Sequence, residues 1–407
     1  VIFIRLRIGL LGLAAVLYIV AGQPALAQDQ RPNIVLILAD DVALMDFGVY
    51  GGEADTPNID ALAARGALFT NYRTSPMCAP SRAMLMTGVD SHRTGVANLP
   101  ETTPQEHMGA PGYSGALEEN VVTVATRLQD AGYRTYMTGK WHLGHTPENL
   151  PSARGFDRTF ALDATGADNW EKRPYLPFVS EVHWFADGEP TDLPDGFYSS
   201  EHLVDKMIEF IDSEAQSDEP FFSYLAFQAI HIPVQAPREF TTKYNDRYKD
   251  GWAEMRTARH QKAIELGLIP ASAPLGDMLP AMRAFESLSD EDRALRAKSM
   301  AVNAGMLEAM DFHLGRLIEH LKTTGAYDNT VFIVTSDNGP EAGDPGAQRI
   351  FNYWLSMVGY SQDLETLGEK GSFAFIGPEF ASAAASPSAF FKFHTGDGGL
   401  RAPLIMA

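Results

Sequence analysis

Asn33-Ile34-Val35-Leu36-Ile37-Leu38-Ala39 runs without a charge straight into Asp40-Asp41. A continuous apolar run of this length predicts a strand buried on both faces, as in the middle of a parallel sheet, not an alternating half-exposed one. Working outward, the same design recurs. Tyr133–Thr138 runs into Gly139-Lys140-Trp141-His142-Leu143-Gly144, Phe221–Phe227 leads to His231, and Val331–Thr335 ends in Ser336-Asp337-Asn338-Gly339. Helices are predicted at Thr56–Gly66, with Thr56 as cap and Pro57 in the first position, and at Asn120–Asp130, Ser200–Ser213 and Ala301–Thr323. Ala67–Tyr72 reads as a further strand. Residues 239–300 read as charged, helix-prone sequence without a chemical motif.

Strands alternating with helices imply an α/β fold with a mostly parallel central sheet and helices on both faces. Ligands of such sheets bind beyond the carboxyl ends of the strands. The polar residues Asp40, Asp41, Lys140, His142, His231, Asp337 and Asn338 all follow predicted strands. Residues 340–390, rich in Gly, Ala, Ser and Pro, read as a long irregular segment of the kind that rims a site.

A formal charge of −20 argues against nucleic acid and long polyanions as partners, while 45% hydrophobic residues suffice for a large core. Arg5 and Arg7, the apolar run Ile8–Ala21 and Ala25-Leu26-Ala27 together read as a signal peptide over residues 1–27, implying a periplasmic or secreted protein. The run is short for a membrane span, so no stable membrane anchor is expected. A single cysteine, Cys78, excludes an intrachain disulfide framework.

Cys78 opens Cys78-Ala79-Pro80-Ser81-Arg82, and Pro80 marks the start of a helix through Thr87. Taken alone, Cys78 reads as a small buried hydrophobe. Three carboxylates and an amide (Asp40, Asp41, Asp337, Asn338) form an all-oxygen set suited to a hard divalent cation, Ca²⁺ before Mg²⁺. Either doublet alone could serve a turn or a helix cap.

Cys78-Ala79-Pro80-Ser81-Arg82 and Gly139-Lys140-Trp141-His142 together resemble the two signatures of the type I, formylglycine-dependent sulfatases of the alkaline phosphatase superfamily, and in particular bacterial periplasmic arylsulfatases. The resemblance runs from Arg31 onward, making 31–407 a catalytic domain. It implies that Cys78 is oxidised to formylglycine (3-oxoalanine) by an oxygen-dependent or radical maturation enzyme. It further implies one Ca²⁺ held by Asp40, Asp41, Asp337, Asn338 and the modified Cys78. Arg82, Lys140, His142, His231 and Lys392 would be the catalytic set. A hydroxyl of the hydrated aldehyde would attack sulfur with Asp337 as base, Lys392 or His231 would protonate the leaving oxygen, and His142 would take a proton so that sulfate departs. His231 lies in a His-x-Pro segment. Lys392 is placed by its interval before Asp397-Gly398-Gly399-Leu400-Arg401-Ala402-Pro403, where the family more often has Glu or Gln than Asp397. Met310-Asp311 and Arg154-Gly155-Phe156 are shared features read as structural.

The expected activity is hydrolysis of small aryl or alkyl sulfate esters. The alternatives are a phosphonate monoester or phosphodiester hydrolase of the same superfamily and a non-catalytic sulfatase-like binding protein. Because the family continues into a small C-terminal domain, a chain that stops at Ala407 inside a core strand reads as truncated, with that domain missing.

Overall fold

The computed structural model describes residues 31–213, 217, 219–345 and 348–407. The signal-peptide reading of 1–27 lies outside them. Along the chain the principal elements are β1 Asn33–Ala39, α1 Pro57–Arg65, β2 Ala67–Phe69, α2 Cys78–Thr87, α3 Val124–Asp130, β3 Arg134–Lys140, β4 Arg158–Leu162, β5 Trp184–Ala186, β6 Glu189–Thr191 and α4 Ser199–Ser213. They continue as β7 Phe221–Ala226, α5 Gly251–Glu265, α6 Asp290–Thr323, β8 Thr330–Ser336, α7 Arg349–Met357, α8 Gly377–Ala384 and β9 Leu404–Met406.

The nine strands form one sheet in the order β2-β9-β8-β1-β7-β3-β4-β5-β6. Its centre, from β8 to β4, is parallel throughout. β1 lies inside this parallel region, between β8 and β7, and shows why its sequence is apolar without alternation. Val35, Ile37 and Ala39 enter one core with Ile59 of α1, Leu203 of α4 and Met310 of α6. Leu36 and Leu38 enter the other, with Cys78 and Ala83 of α2 and Ala125 of α3. Fully burying each such side chain is worth about 1.5–3 kcal/mol, so β1 ties the two helical layers together.

Register then sets the strand ends level. Ala39 pairs with Ser336, Leu38 with Ala226, and Gly139 with the same Ala226. The residues that follow these ends, Asp40, Asp337 and the segment leading to His231, therefore emerge at one edge, where Lys140 ends β3.

Several local expectations need correction. α2 begins at Cys78, two residues before the proline taken as its start. Pro80 is still within the first turn, where its missing N–H costs nothing. Thr56 does not cap α1 with its side chain. The carboxylate of Asp311 in α6 does so instead, accepting from the N–H groups of Asn58 at 3.1 Å and Ile59 at 2.8 Å. The strand expected at Ala67–Tyr72 stops at Phe69 and is an antiparallel partner of β9. Residues 340–390 are not irregular throughout, since they hold α7 and α8. The terminal strand β9 lies between β2 and β8, antiparallel to both.

Candidate active site

Cys78 is the first residue of α2 and is fully buried beneath the carboxyl ends of β1, β3 and β8. Met77 offers no side-chain cap, so the N-terminus of the helix, where Cys78 sits, keeps the positive end of its dipole without a side-chain acceptor from that residue. The thiol lies 3.5 Å from Asp40 Oδ1 and 3.9 Å from Asp41 Oδ1. Burial pushes its pKa well above the usual value, with Asp337 adding to the effect, so the unmodified side chain stays a neutral thiol and a poor nucleophile.

Three buried cations surround the acids. Arg82, one turn along α2, places Nε 2.9 Å from Asp337 Oδ2 and Nη2 2.8 Å from the same oxygen, with Nη2 3.6 Å from Asp40 Oδ2. Its Nη1 donates to the Lys140 carbonyl at 2.7 Å. Lys140 Nζ lies 2.6 Å from Asp40 Oδ2. Burial alone would raise the Asp40 pKa, but Lys140, then Arg82 and Lys392, bring it below the usual range. Lys392 Nζ reaches Asp41 Oδ1 at 2.8 Å and Glu341 Oε2 at 2.9 Å. Asp41 itself is pushed up to about 7, by burial first and then, against the pull of Lys392, by Asp40, Glu341 and Asp337.

Both histidines are present, in different settings. His231 turns Nδ1 to the Ile232 carbonyl at 2.6 Å, which requires a proton there and leaves Nε2 3.8 Å from Asp41 Oδ2. Burial, Lys140 and Lys392 hold its pKa well below 6.5. His142 has φ 60° and Asp41 φ 65°, left-handed backbone that β-carbon-bearing residues rarely adopt. Such strain costs on the order of 1–3 kcal/mol per residue and collects where side-chain direction matters.

The donor set suits a cation. One oxygen or sulfur atom from each of Asp40, Asp41, Cys78 and Asp337 can lie within 4.8 Å of the others, all from buried residues. Asn338 donates through Nδ2 to Asp41 Oδ1 at 2.6 Å, while its Oδ1 is buried and has no partner among the described residues. Four carboxylates (Asp40, Asp41, Asp337, Glu341) against three cations (Arg82, Lys140, Lys392) leave a negative excess for a divalent ion to neutralise. An orphaned amide oxygen among buried carboxylates is the ligand chemistry of Ca²⁺ or Mg²⁺.

Beyond Lys392 and His231 opens a cavity of about 450 Å³. Tyr175, Phe178, Phe351, Phe373 and Phe393 supply much of its wall. Every residue expected at the site from the sequence thus falls in or beside one cluster, with Lys392 in direct contact with Asp41. Two acids were missed: Glu341, and Glu101, whose Oε2 lies 3.1 Å from His142 Nε2. Nothing local marks either, because each is defined by a partner far along the chain.

The family model described as Sulfatase matches residues 32–407. The chain belongs to the sulfatase family. It is 36% identical over 402 residues to an arylsulfatase of Klebsiella aerogenes, covering 97% of this chain and 84% of that one. An uncharacterized sulfatase of Schizosaccharomyces pombe is 37% identical over 394 residues, with coverage of 93% and 70%. Among solved structures, Ps i-CgsB in complex with k-i-k-neocarrahexaose superposes with a TM-score of 0.61 at 26% identity. The match covers 92% of this sulfatase chain, which spans 65% of that longer one. As a sulfatase the protein is a sulfuric ester hydrolase with a mixed α/β sheet flanked by helices. No helix among the described residues is long and apolar enough to cross a membrane.

Proposed function

We propose that this sulfatase hydrolyses small aryl or alkyl sulfate esters at Cys78 after its conversion to formylglycine, with one Ca²⁺ bound. The observation that carries this is Cys78 placed among the acidic pairs Asp40-Asp41 and Asp337-Asn338, with Lys392 joining Asp41 to the wall of the aromatic cavity. Asp40, Asp41, Asp337 and the free Oδ1 of Asn338 would hold the ion, and these residues fit it in type, burial and charge. When present, Ca²⁺ supplies Lewis-acid polarisation and the aldehyde hydrate supplies the oxygen nucleophile that a buried thiol lacks.

The chain's own residues have defined tasks. Arg82 and Lys140 place fixed positive charge beside Cys78 and orient Asp40 and Asp337 through their shared oxygens. Removing one preorganised donor of this kind costs about 10²–10³ in rate. Lys392 and His231 border the cavity where the sulfuryl oxygens and the leaving oxygen would lie. Either Lys392 or His231 would protonate the departing oxygen, both lining the cavity beside Asp41. Tyr175, Phe178 and Phe351 line the cavity with aromatic rings, which favours an aryl alcohol by ring–ring contact. A signal peptide in residues 1–27 would deliver the protein to the periplasm or beyond, and a maturation enzyme must act on Cys78 before α2 is sealed into the fold.

The test is turnover of paired 4-nitrophenyl sulfate, phosphate and phenylphosphonate by protein co-produced with a maturation enzyme. Higher kcat/KM on sulfate is expected. Higher kcat/KM on phosphate or phosphonate would contradict the sulfate assignment.

A further inference from the structure

We propose that Glu101 is a positioning residue for His142: it holds the imidazole in the Nε2–H tautomer and so leaves Nδ1 as the ring's free base. This rests on the proposed mechanism, in which His142 takes a proton from the modified Cys78.

A carboxylate only accepts, and Glu101 Oε2 lies 3.1 Å from His142 Nε2, so the shared proton belongs to the ring. A neutral imidazole has one N–H, which leaves the lone pair on Nδ1. That nitrogen is buried and has no hydrogen-bond partner among the described residues. A buried nitrogen left unsatisfied is costly unless something else needs it. The ring has little room to swing away, because His142 is 2% exposed, and its backbone is held by a main-chain hydrogen bond from its amide N–H to the Asp163 carbonyl at 3.2 Å.

Glu101 is itself braced. It sits in the short 3₁₀ turn Pro100–Thr102, closed by Thr102 N–H to the Leu99 carbonyl at 3.1 Å. Thr103 Oγ1 donates to the same carbonyl at 2.9 Å, and Leu99 is buried. Burial opposes ionisation of Glu101, but His142, by charge and by hydrogen bond, brings its pKa down to about 2. The chargeable groups acting on His142 are Glu101, Lys140 of β3 and Arg82 of α2. Asp163, which is influenced by His183 and His145, also feels the charge of Glu101. Burial and the two cations disfavour the imidazolium, while Glu101 alone among these three partners favours it. The pair therefore does for His142 what a buried carboxylate does for other catalytic histidines: it selects the tautomer and raises basicity.

Imidazole ¹⁵N shifts of His142 test this in the unconverted Cys78 protein, where no chemistry occurs. The wild type is expected to show protonated Nε2 and bare Nδ1. In Glu101→Ala the tautomers should mix and the His142 titration should move to lower pH. Glu101→Gln, whose amide oxygen still accepts, should keep the tautomer but lose the titration shift. In converted protein, Glu101→Ala should lower kcat about 10–100-fold while KM changes less than about twofold. An unchanged tautomer and titration in both variants would overturn the assignment. If converted wild-type protein hydrolysed no sulfate ester, the catalytic mechanism would fail, while the nitrogen shifts would still decide whether Glu101 controls His142.

Discussion

Arg82 and Asp337 are joined inside the protein by two contacts to a single oxygen: Nε at 2.9 Å and Nη2 at 2.8 Å both meet Oδ2, and neither side chain is exposed. The second oxygen of Asp337 faces the Asp41 N–H at 3.2 Å. One guanidinium therefore sets the direction of a carboxylate that also orders the Asp40-Asp41 turn. Arg82→Ala should destabilise the fold by about 3–5 kcal/mol, because it strands a buried carboxylate. Arg82→Lys restores the charge but not the fork, and should keep the fold better while still losing at least about a hundredfold in kcat. Urea titration and steady-state kinetics on the same samples check both.

Gly139 offers a sharper test of how Lys140 is placed. Its φ is 109°, and a Cβ there would lie 1.8 Å from the Ala226 carbonyl oxygen of β7. Only glycine lets β3 approach β7 this closely just before Lys140. Gly139→Ala should destabilise by about 3 kcal/mol or more, a strain and overpacking cost combined. Thermal unfolding near that of the wild type would contradict the close approach.

These two positions also mark what the chain discloses locally. The apolar runs ending in Asp40-Asp41 and Asp337-Asn338 are legible because a strand buried on both faces has no other composition, and register then brings their ends together. The signature segments around Cys78 and Lys140 are legible because each is contiguous. Relationships across the chain are not. Thr56 has the sequence of a cap, yet the capping carboxylate comes from Asp311, more than two hundred residues away. Glu101 and Glu341 carry no motif, since only the fold puts them beside His142 and Lys392. α7 is hidden in Gly- and Ser-rich surroundings that read as irregular, although Phe351 and Leu355 stand four apart as on one helix face.

Calcium should act as a stabilising ligand as well as a catalytic one. Stripping the protein with a chelator should lower both turnover and melting temperature, and added Ca²⁺ should restore them. At a hundred times its Kd, an ion bound only by the folded state adds about 2.7 kcal/mol. Asp40→Asn should raise the Ca²⁺ concentration needed for that recovery. Melting curves unaffected by chelator and by Ca²⁺ would argue against the ion.

His313 in α6 should impose a pH dependence on stability, unconnected with catalysis. Burial lowers its pKa to about 4, and Arg316, whose Nη1 is 3.3 Å from His313 Nδ1, acts in the same direction against Asp205. The folded pKa lies below the unfolded value of 6.5, so the folded form resists protonation. The stability this group contributes is present above about pH 6.5 and is lost as pH falls toward 4, by no more than about 3 kcal/mol. His313→Gln should flatten that slope relative to the wild type in denaturation curves taken from pH 7 to pH 4.

The most direct measurement is the mass of the peptide carrying Cys78, taken on the batch whose sulfate ester turnover is assayed. Protein made with a maturation enzyme should carry the aldehyde, and kcat should rise in proportion to the converted fraction, with Cys78→Ala folded but inactive. Full turnover from protein whose Cys78 is still a thiol, or from the alanine variant, would contradict an oxidised Cys78 as the centre of the site.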